Sequence, residues 1–89
     1  MEFEFDPVKS AANKEKHGID FVEAQALWYD VRGVEFDTDH VAENRRVLIG
    51  RIHGVFWTAI YTPRGENIRI ISVRRARIQE RRRYEDNQR

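Results

Sequence analysis

The fold of this chain is decided by residues 46–62, which read RVLIGRIHGVFWTAIYT. Both arms of this stretch, 46–52 and 55–62, are rich in β-branched and aromatic residues, which favour extended strands. His53 and Gly54 lie between the arms and form a connection short enough for a tight hairpin. The stretch therefore predicts two long antiparallel strands joined by a two-residue turn.

The neighbouring segments extend this hairpin into a sheet. Residues 63–66 read PRGE and predict a turn, and residues 67–74 predict a third long strand. Residues 33–37 are a weaker strand candidate, followed by a polar loop over 38–44. Short connections between successive strands favour an antiparallel meander.

A first helix is predicted after residues 3–5, whose alternation of apolar and acidic residues is typical of a short edge strand. Asp6 suits the N-cap, because its carboxylate accepts hydrogen bonds from unpaired amides, and Pro7 suits the first helical position. Gly18 suits the left-handed position that ends a helix. The residues at helical spacing are Val8, Ala11, Ala12 and Glu15. The apolar face is therefore thin, and the helix is expected to pack closely.

A second helix is predicted to follow at once. Asp20 and Glu23 form a capping-box pattern, in which each side chain accepts from the other residue's amide. The apolar stripe consists of Phe21, Ala24, Leu27 and Trp28, and Asp30 and Gly33 end the helix. A short helix over 78–85 closes the chain. Helices before a strand meander predict one α+β domain over residues 1–89.

Composition excludes several classes of protein. The chain has no cysteine, which removes disulfides, thiolate catalysis and cysteine zinc sites. No apolar run approaches the ~20 residues that a membrane helix needs, so no membrane partner is expected. The first residues lack the basic region of a signal peptide, so the cytoplasm is the expected location. No phosphate-binding P-loop, dinucleotide turn or nucleophile elbow is present.

Charge is distributed unevenly along the chain. Residues 1–44 carry four cations and eleven anions, a net charge of −7, whereas residues 45–89 carry twelve arginines, no lysine and four anions, a net charge of +8. Such asymmetry indicates a nucleic acid or an acidic partner. Guanidinium groups bind phosphate through two parallel hydrogen bonds and stack on bases, which favours RNA as the partner.

The last predicted strand carries the first candidate site. Side chains alternate along a strand, so Arg69 and Arg75 are expected on one face with Ile71 and Val73, and Arg74 on the other. An arginine on an apolar face needs a carboxylate partner, an edge position or a ligand. The two interpretations for Arg69 are an ion pair with the acidic half of the chain and a phosphate clamp.

The closing segment carries the second candidate site. Its arginines are Arg74, Arg75, Arg77, Arg81, Arg82 and Arg83. Glu80 and Tyr84 lie four residues apart and share a helical face beside them. A carboxylate, a phenol and guanidinium groups near one phosphate suit acid–base chemistry. The alternatives are a solvated basic surface, a salt bridge at Glu80 and a core position for Tyr84.

Histidines and a possible metal loop give weaker signals. His17 follows Lys16 at a helix end, where a histidine serves either as an acid or base or as a partner of the helix dipole. His53, in the predicted turn, is uninformative. Residues 37–40 read DTDH, which offers too few oxygen ligands for a hard cation. The sequence therefore predicts no metal site and no cofactor.

Three separated stretches are similar to one family. The first contains Phe5-Asp6-Pro7, Lys9 and Asn13, followed by Lys16-His17-Gly18-Ile19-Asp20-Phe21 and Glu23-Ala24. The second is residues 46–50, RVLIG. The third is residues 69–76, RIISVRRA, followed by Glu80-Arg81 and Tyr84. In their order and spacing, these stretches resemble the BrnT family, small ribonuclease toxins of bacterial type II toxin–antitoxin modules.

The resemblance implies a fold, an activity and a partner. The fold would be RelE-like, with two N-terminal helices on an antiparallel sheet, and the activity would be RNA cleavage. The partner would be a BrnA-like antitoxin, a ribbon-helix-helix DNA-binding protein, and the complex would repress its own promoter. Promoter DNA would be contacted only through the antitoxin. The family's functional positions map onto His17, Arg69, Arg74, Glu80 and Tyr84.

Three functions fit these observations. In a metal-independent ribonuclease, Arg69 and Arg74 would stabilise the phosphorane formed by attack of the 2′-hydroxyl. Glu80 or His17 would be the base, and Tyr84 or an arginine the acid. Further RNA contacts would come from Lys16, Arg75, Arg77 and Arg81. The alternatives are a nucleic-acid-binding module without catalysis and an interaction protein whose arginines dock an acidic partner.

Overall fold

A five-stranded sheet organises the computed structural model, which describes residues 1–38 and 44–88. The strands are β1 (Phe3–Glu4), β2 (Val34–Asp37), β3 (Arg46–Ile52), β4 (Val55–Arg64) and β5 (Asn67–Arg75). The helices are α1 (Pro7–His17), a 3₁₀ helix (Glu23–Tyr29) and α2 (Ile78–Asp86). The α+β class is therefore confirmed. No helix in the described ranges is both long and apolar enough to cross a membrane.

The strand order is β1-β5-β4-β3-β2. Strands β2 to β5 form the antiparallel meander that short connections predict. Strand β1 lies parallel to β5 and pairs with Ile68 and Arg69. The prediction of a purely antiparallel sheet was therefore wrong, because β1 reaches β5 through most of the chain and no hairpin dictates its direction.

Two turns of the meander are tight. His53 and Gly54 both have positive φ angles, 49° and 80°, as a two-residue hairpin requires. The next turn is centred on Gly65, with a φ of 60°, and Pro63 lies in β4 opposite Ile68. The prediction that Pro63 begins the turn was wrong. Strand β3 begins at Arg46, which pairs with Tyr61, so Pro63 has no neighbour on β3 that would need a hydrogen bond from its missing N–H.

Helix α1 begins and ends where predicted, but a different face is buried. The Asp6 carboxylate accepts from Val8 N at 2.9 Å, and Gly18 adopts the left-handed conformation. The buried residues are Ser10 and Asn13, not the apolar face predicted around Val8, which is 77% exposed. Helix α1 packs along β5, where polar side chains satisfy backbone groups.

The second predicted helix is a 3₁₀ helix. Its capping-box hydrogen bonds are present, from Asp20 N to Glu23 Oε1 at 3.0 Å and from Glu23 N to Asp20 Oδ1 at 2.7 Å. Leu27 is fully buried over Gly50, where an added Cβ would lie 2.9 Å from Leu27 Cδ2. Short helices commonly use the tighter i to i+3 pattern, and the prediction of an α-helix was wrong.

The two faces of the sheet carry separate apolar cores. The first face, which includes Leu48, Ala59 and Val73, is covered by the 3₁₀ helix and the residues just before it. On the second face, Val47 packs with Tyr84 of α2. Helix α2 therefore lies on the opposite side of the sheet from the 3₁₀ helix.

Candidate functional site

Arg69 and Arg74 lie on the same face of the sheet. The register between β4 and β5 shifts by one residue, which leaves Ile71 without a partner. Such a bulge reverses the alternation of side chains, so both arginines lie on the second face, away from Val73. The prediction that Arg69 shares a face with Ile71 and Val73 was wrong, and the bulge is the physical reason.

Arg74 and Glu80 form a bidentate ion pair between β5 and α2. The guanidinium Nη1 donates to Glu80 Oε1 at 2.7 Å, and Nη2 donates to Oε2 at 2.9 Å. The side chains are 25% and 18% exposed, so water competes little for the pair. Two parallel hydrogen bonds fix the plane and direction of the guanidinium as well as its position.

The Glu80 carboxylate is held by two further donors. Arg77 N donates to Oε1 at 2.8 Å, and the fully buried Thr58 hydroxyl donates to the same oxygen at 3.1 Å. Burial alone raises the pKa of Glu80, but hydrogen bonds from Arg74, Arg77 and Thr58 outweigh it and hold the pKa below its usual value. The hydrogen bond to Glu80 likewise raises the pKa of Arg74 despite burial.

Arg74 keeps one pair of donors free of the described residues. A guanidinium has five N–H groups in fixed directions. One Nη1 hydrogen and one Nη2 hydrogen, which lie side by side at the end of the guanidinium, bind Glu80. The other Nη1 hydrogen points to Arg75 O at 3.3 Å. The Nε hydrogen and the second Nη2 hydrogen form another fork, which suits two oxygens of one phosphate.

Arg69 lies on the same face, further along β5. Its nearest carboxylate is that of Glu4 on β1, with 3.8 Å between Nη1 and Oε1. The Arg69 side chain is 37% exposed, and Thr62 opposite it and Ser72 on the same face are partly exposed. At ~3.3 Å per residue, Arg69 and Arg74 are roughly 15 Å apart along the strand. Arg69 therefore has a carboxylate neighbour, as the first interpretation of the sequence predicts, and is also exposed enough to contact a phosphate, as the second one does.

Tyr84 lies in the core of the second face. It is 5% exposed, and its ring packs edge-on against Phe56 with centroids 5.2 Å apart. Its hydroxyl donates to Asp30 Oδ2 at 2.9 Å. Burial, followed by this hydrogen bond, raises the pKa of the Tyr84 phenol. The structure places this hydroxyl at Asp30 and does not join it to the Arg74–Glu80 pair.

His17 and Lys16 lie at the end of α1, beside the edge of β5. With Ile71 and Ser72 they line a groove of about 250 Å³. His17 is partly buried and Lys16 is exposed. Ile71 and Ser72 therefore lie beside His17, and Ser72 also lies on the second face of the sheet with Arg69 and Arg74.

The remaining predicted RNA-binding arginines surround the pair. Arg77 immediately precedes α2 and is exposed. Arg75 points to the first face, where its guanidinium lies 5.4 Å from the Trp57 ring centroid. Arg81 lies 4.7 Å from the Phe56 ring centroid. Arginine thus occupies both faces at this end of β5.

Two residues that hold the site, Thr58 and Asn13, were not predicted to do so from their residue type or spacing. Thr58 is one of many β-branched residues in a strand, and only the position of Glu80 makes its hydroxyl important. Asn13 bridges α1 to β5, because its amide donates to Val73 O at 2.9 Å and accepts from Val73 N at 3.3 Å. Asn13 thereby pairs the backbone N–H and C=O of Val73, which β1 does not reach because β1 pairs only with Ile68 and Arg69.

The predicted absence of a metal site stays a prediction. Asp39 and His40 of the DTDH stretch lie outside the described residues. Elsewhere, in 1–38 and 44–88, no three histidine, aspartate or glutamate side chains cluster as metal ligands.

Comparison with known proteins identifies a family. No curated protein matches the chain significantly. One family model, described as the ribonuclease toxin BrnT of type II toxin–antitoxin systems, matches residues 5–80. The match runs from the end of the first strand to Glu80 and includes both members of the Arg74–Glu80 pair. Since the match covers most of the chain, this protein belongs to the BrnT family of ribonuclease toxins of type II toxin–antitoxin systems.

Proposed function

We propose that this toxin cleaves RNA without a metal ion, through attack of the 2′-hydroxyl on the adjacent phosphodiester. The O2′–P bond forms and the P–O5′ bond breaks, which leaves a 2′,3′-cyclic phosphate and a 5′-hydroxyl. A base takes the proton of the 2′-hydroxyl, and the departing 5′-oxygen takes a proton. The enzyme must stabilise the extra negative charge that develops on the phosphorane oxygens.

The observation that carries the proposal is the ion pair between Arg74 and Glu80. Because Glu80 fixes the guanidinium through two hydrogen bonds, the remaining fork of Arg74 is oriented before substrate arrives. Preorganised donors aimed at developing charge are worth about 10²–10³ in rate for each donor removed. Arg74 is therefore assigned to the phosphorane oxygens.

Arg69 is assigned to a neighbouring phosphate of the same RNA strand. It lies on the face that carries Arg74, and its contact with Glu4 is long, at 3.8 Å. A phosphate can therefore compete with this carboxylate for the guanidinium. Phosphate contacts of this kind set the register of a nucleic acid on a protein surface. Arg69 would align the chain so that the cleaved bond meets Arg74.

Glu80 and Tyr84 are proposed to position groups and not to transfer protons. The carboxylate of Glu80 accepts from Arg74, Arg77 and Thr58, and its lowered pKa makes it a weak base. Tyr84, one turn later in α2, anchors the helix that carries Glu80. His17 is the remaining candidate for the 2′-hydroxyl proton, reached through the groove at Ser72. Solvent would protonate the 5′-oxygen.

The proposed protein partner is a BrnA-like antitoxin with a ribbon-helix-helix DNA-binding domain. Membership of a type II family implies a protein antitoxin, and the resemblance of the sequence supplies its class. We propose a RelE-like relationship for the fold on the same ground, and the cytoplasm as the place of action, since RNA is the substrate. The toxin alone should not bind its promoter, whereas the complex should.

The test is cleavage of total RNA in EDTA, followed by analysis of the new ends. We expect wild-type protein to leave cyclic phosphates and Arg74→Ala to be slower by about 10²–10³. Arg32→Ala is the matched control, because Arg32 is exposed and precedes β2 at the opposite edge of the sheet. A parallel assay in translating extract covers substrate that is cut only on ribosomes. Undiminished cleavage by Arg74→Ala, or a requirement for added metal, would contradict the proposal.

A further inference from the structure

Three arginines lie near the tip of the β3–β4 hairpin. Arg75 and Arg81 line one cavity of about 200 Å³, together with Gly54, Val55, Phe56 and Ala76. A water molecule occupies about 30 Å³ in the liquid, so the cavity has room for a phosphate group and some of its hydration. Two of the residues that line it are arginines, which suits an anion better than a nonpolar ligand.

The third arginine of this cluster is Arg51. Its guanidinium lies 5.1 Å from the Phe56 ring centroid, and that of Arg81 lies 4.7 Å from the same centroid. Arg51 Nη2 also lies 4.0 Å from the position that a Cβ atom on Gly54 would take. Cation–π contacts hold guanidinium groups in place without neutralising their charge. The cluster is therefore oriented and remains cationic.

Little negative charge balances these arginines. Within 1–38 and 44–88, the ion pair that involves the cluster joins Arg81 Nε to Glu85 Oε1 at 3.5 Å, with side chains 58% and 53% exposed. Exposed pairs of this kind contribute little, and the guanidinium groups repel one another at short range. The cluster therefore carries a net positive charge that an anion from outside the chain can offset.

The cavity lies next to the Arg74–Glu80 pair. Arg75 follows Arg74 at the end of β5, and Ala76 N donates to Phe56 O at 3.0 Å. Arg81, stacked on Phe56 of the second face, therefore extends the line of positive groups formed by Arg69 and Arg74 towards the hairpin tip, and Arg75 reaches the cavity from the first face. An RNA strand that follows this line would place its next phosphate near the hairpin tip.

We propose that this cavity is a phosphate subsite for the RNA strand beyond the cleaved bond, formed by Arg75 and Arg81 and supported by Arg51. The inference rests on the proposed RNA substrate and names where a second part of that substrate binds. The subsite transfers no proton and takes no part in the chemical step. It strengthens binding and fixes which phosphate lies at Arg74.

The experiment measures binding of an uncleavable 2′-O-methyl oligoribonucleotide at several salt concentrations. The double variant Arg75→Gln/Arg81→Gln should bind about tenfold more weakly at low salt. Each phosphate contact to a single strand contributes about 0.7 to the slope of log K against log salt, so the slope should fall by about that amount. Arg32→Gln also replaces an arginine by a neutral glutamine, but away from the cavity, and should keep the wild-type slope.

A lysine double variant separates charge from folding. Arg75→Lys/Arg81→Lys keeps both charges and should keep most of the salt slope, while losing affinity because lysine cannot offer a fork. Thermal melts of every variant check that the domain is folded. An unchanged slope and affinity in the glutamine variant, or an equal loss in Arg32→Gln, would overturn the proposal. Because this RNA cannot be cleaved, failure of the Arg74 cleavage test leaves the binding result independent.

Discussion

Replacing Glu80 by glutamine should destabilise the domain and release Arg74. The carboxylate accepts from Arg74 through two hydrogen bonds, from Arg77 N and from the buried Thr58 hydroxyl. Glutamine offers one acceptor oxygen and places an NH₂ group against donors. Breaking a buried ion pair by removing one partner costs about 3–5 kcal/mol. Partial exposure of both side chains lowers the expected loss to about 2–3 kcal/mol.

Urea denaturation followed by tryptophan fluorescence measures this loss. In a domain of this size, each kcal/mol lowers the melting temperature by about 4–8 °C, so the variant should melt roughly 10–20 °C lower. Glu85→Gln is the matched control on the same helix, since its ion pair with Arg81 is exposed. That control should cost no more than about 0.5 kcal/mol.

The pH dependence of this difference follows from the direction of the pKa shift. The pKa of Glu80 is lower in the folded state than its usual value, so the ionised carboxylate stabilises the fold. This stabilisation is present above the unfolded-state pKa, about 4.3 for glutamate, and is lost as the pH falls through the folded-state value. The difference in unfolding free energy between wild type and Glu80→Gln should therefore stay constant from about pH 8 to 5 and become smaller below about pH 4. Equal destabilisation by Glu80→Gln and Glu85→Gln would show that the Arg74–Glu80 pair contributes no more than an exposed ion pair.

Further substitutions test individual contacts. Asn13→Ala leaves Val73 N and O without their side-chain partner and should cost about 2–3 kcal/mol in chemical denaturation. Tyr84→Phe removes the hydrogen bond to Asp30, should cost about 1 kcal/mol, and should retain RNA cleavage, whereas a proton-transferring tyrosine would lose it. Gly50→Ala places a Cβ 2.9 Å from Leu27 Cδ2 and should cost about 1–3 kcal/mol in thermal melts. His17→Gln should slow cleavage about 10²-fold or more with little change in melting temperature, and unchanged cleavage would remove His17 from the mechanism.

Local patterns predicted much of the fold, because their causes lie within a few residues. The capping positions Asp6 and Gly18, the two-residue turn at His53 and Gly54, and the limits of β3 all follow from short-range sterics and hydrogen bonding. The pairing of β1 with β5 is set by tertiary contacts between distant segments. No short stretch of sequence specifies it.

The site was only partly predictable for the same reason. The arginines and Glu80 stand out by residue type, and the sequence places them in the right elements. The bulge at Ile71 has no marker, since isoleucine is ordinary in a strand, yet it moves Arg69 to the face of Arg74. The burial of Asn13 was missed because the helix was expected to bury small apolar residues, whereas it covers a strand edge with backbone groups to satisfy.

End-group analysis of RNA cleaved in EDTA by wild type and Arg74→Ala is the decisive measurement for metal-independent cleavage at Arg74. We expect 2′,3′-cyclic phosphate ends from the wild type and a loss of about 10²–10³ in rate for the variant, with the variant still folded. Ends of another type, or wild-type rates in Arg74→Ala, would contradict it.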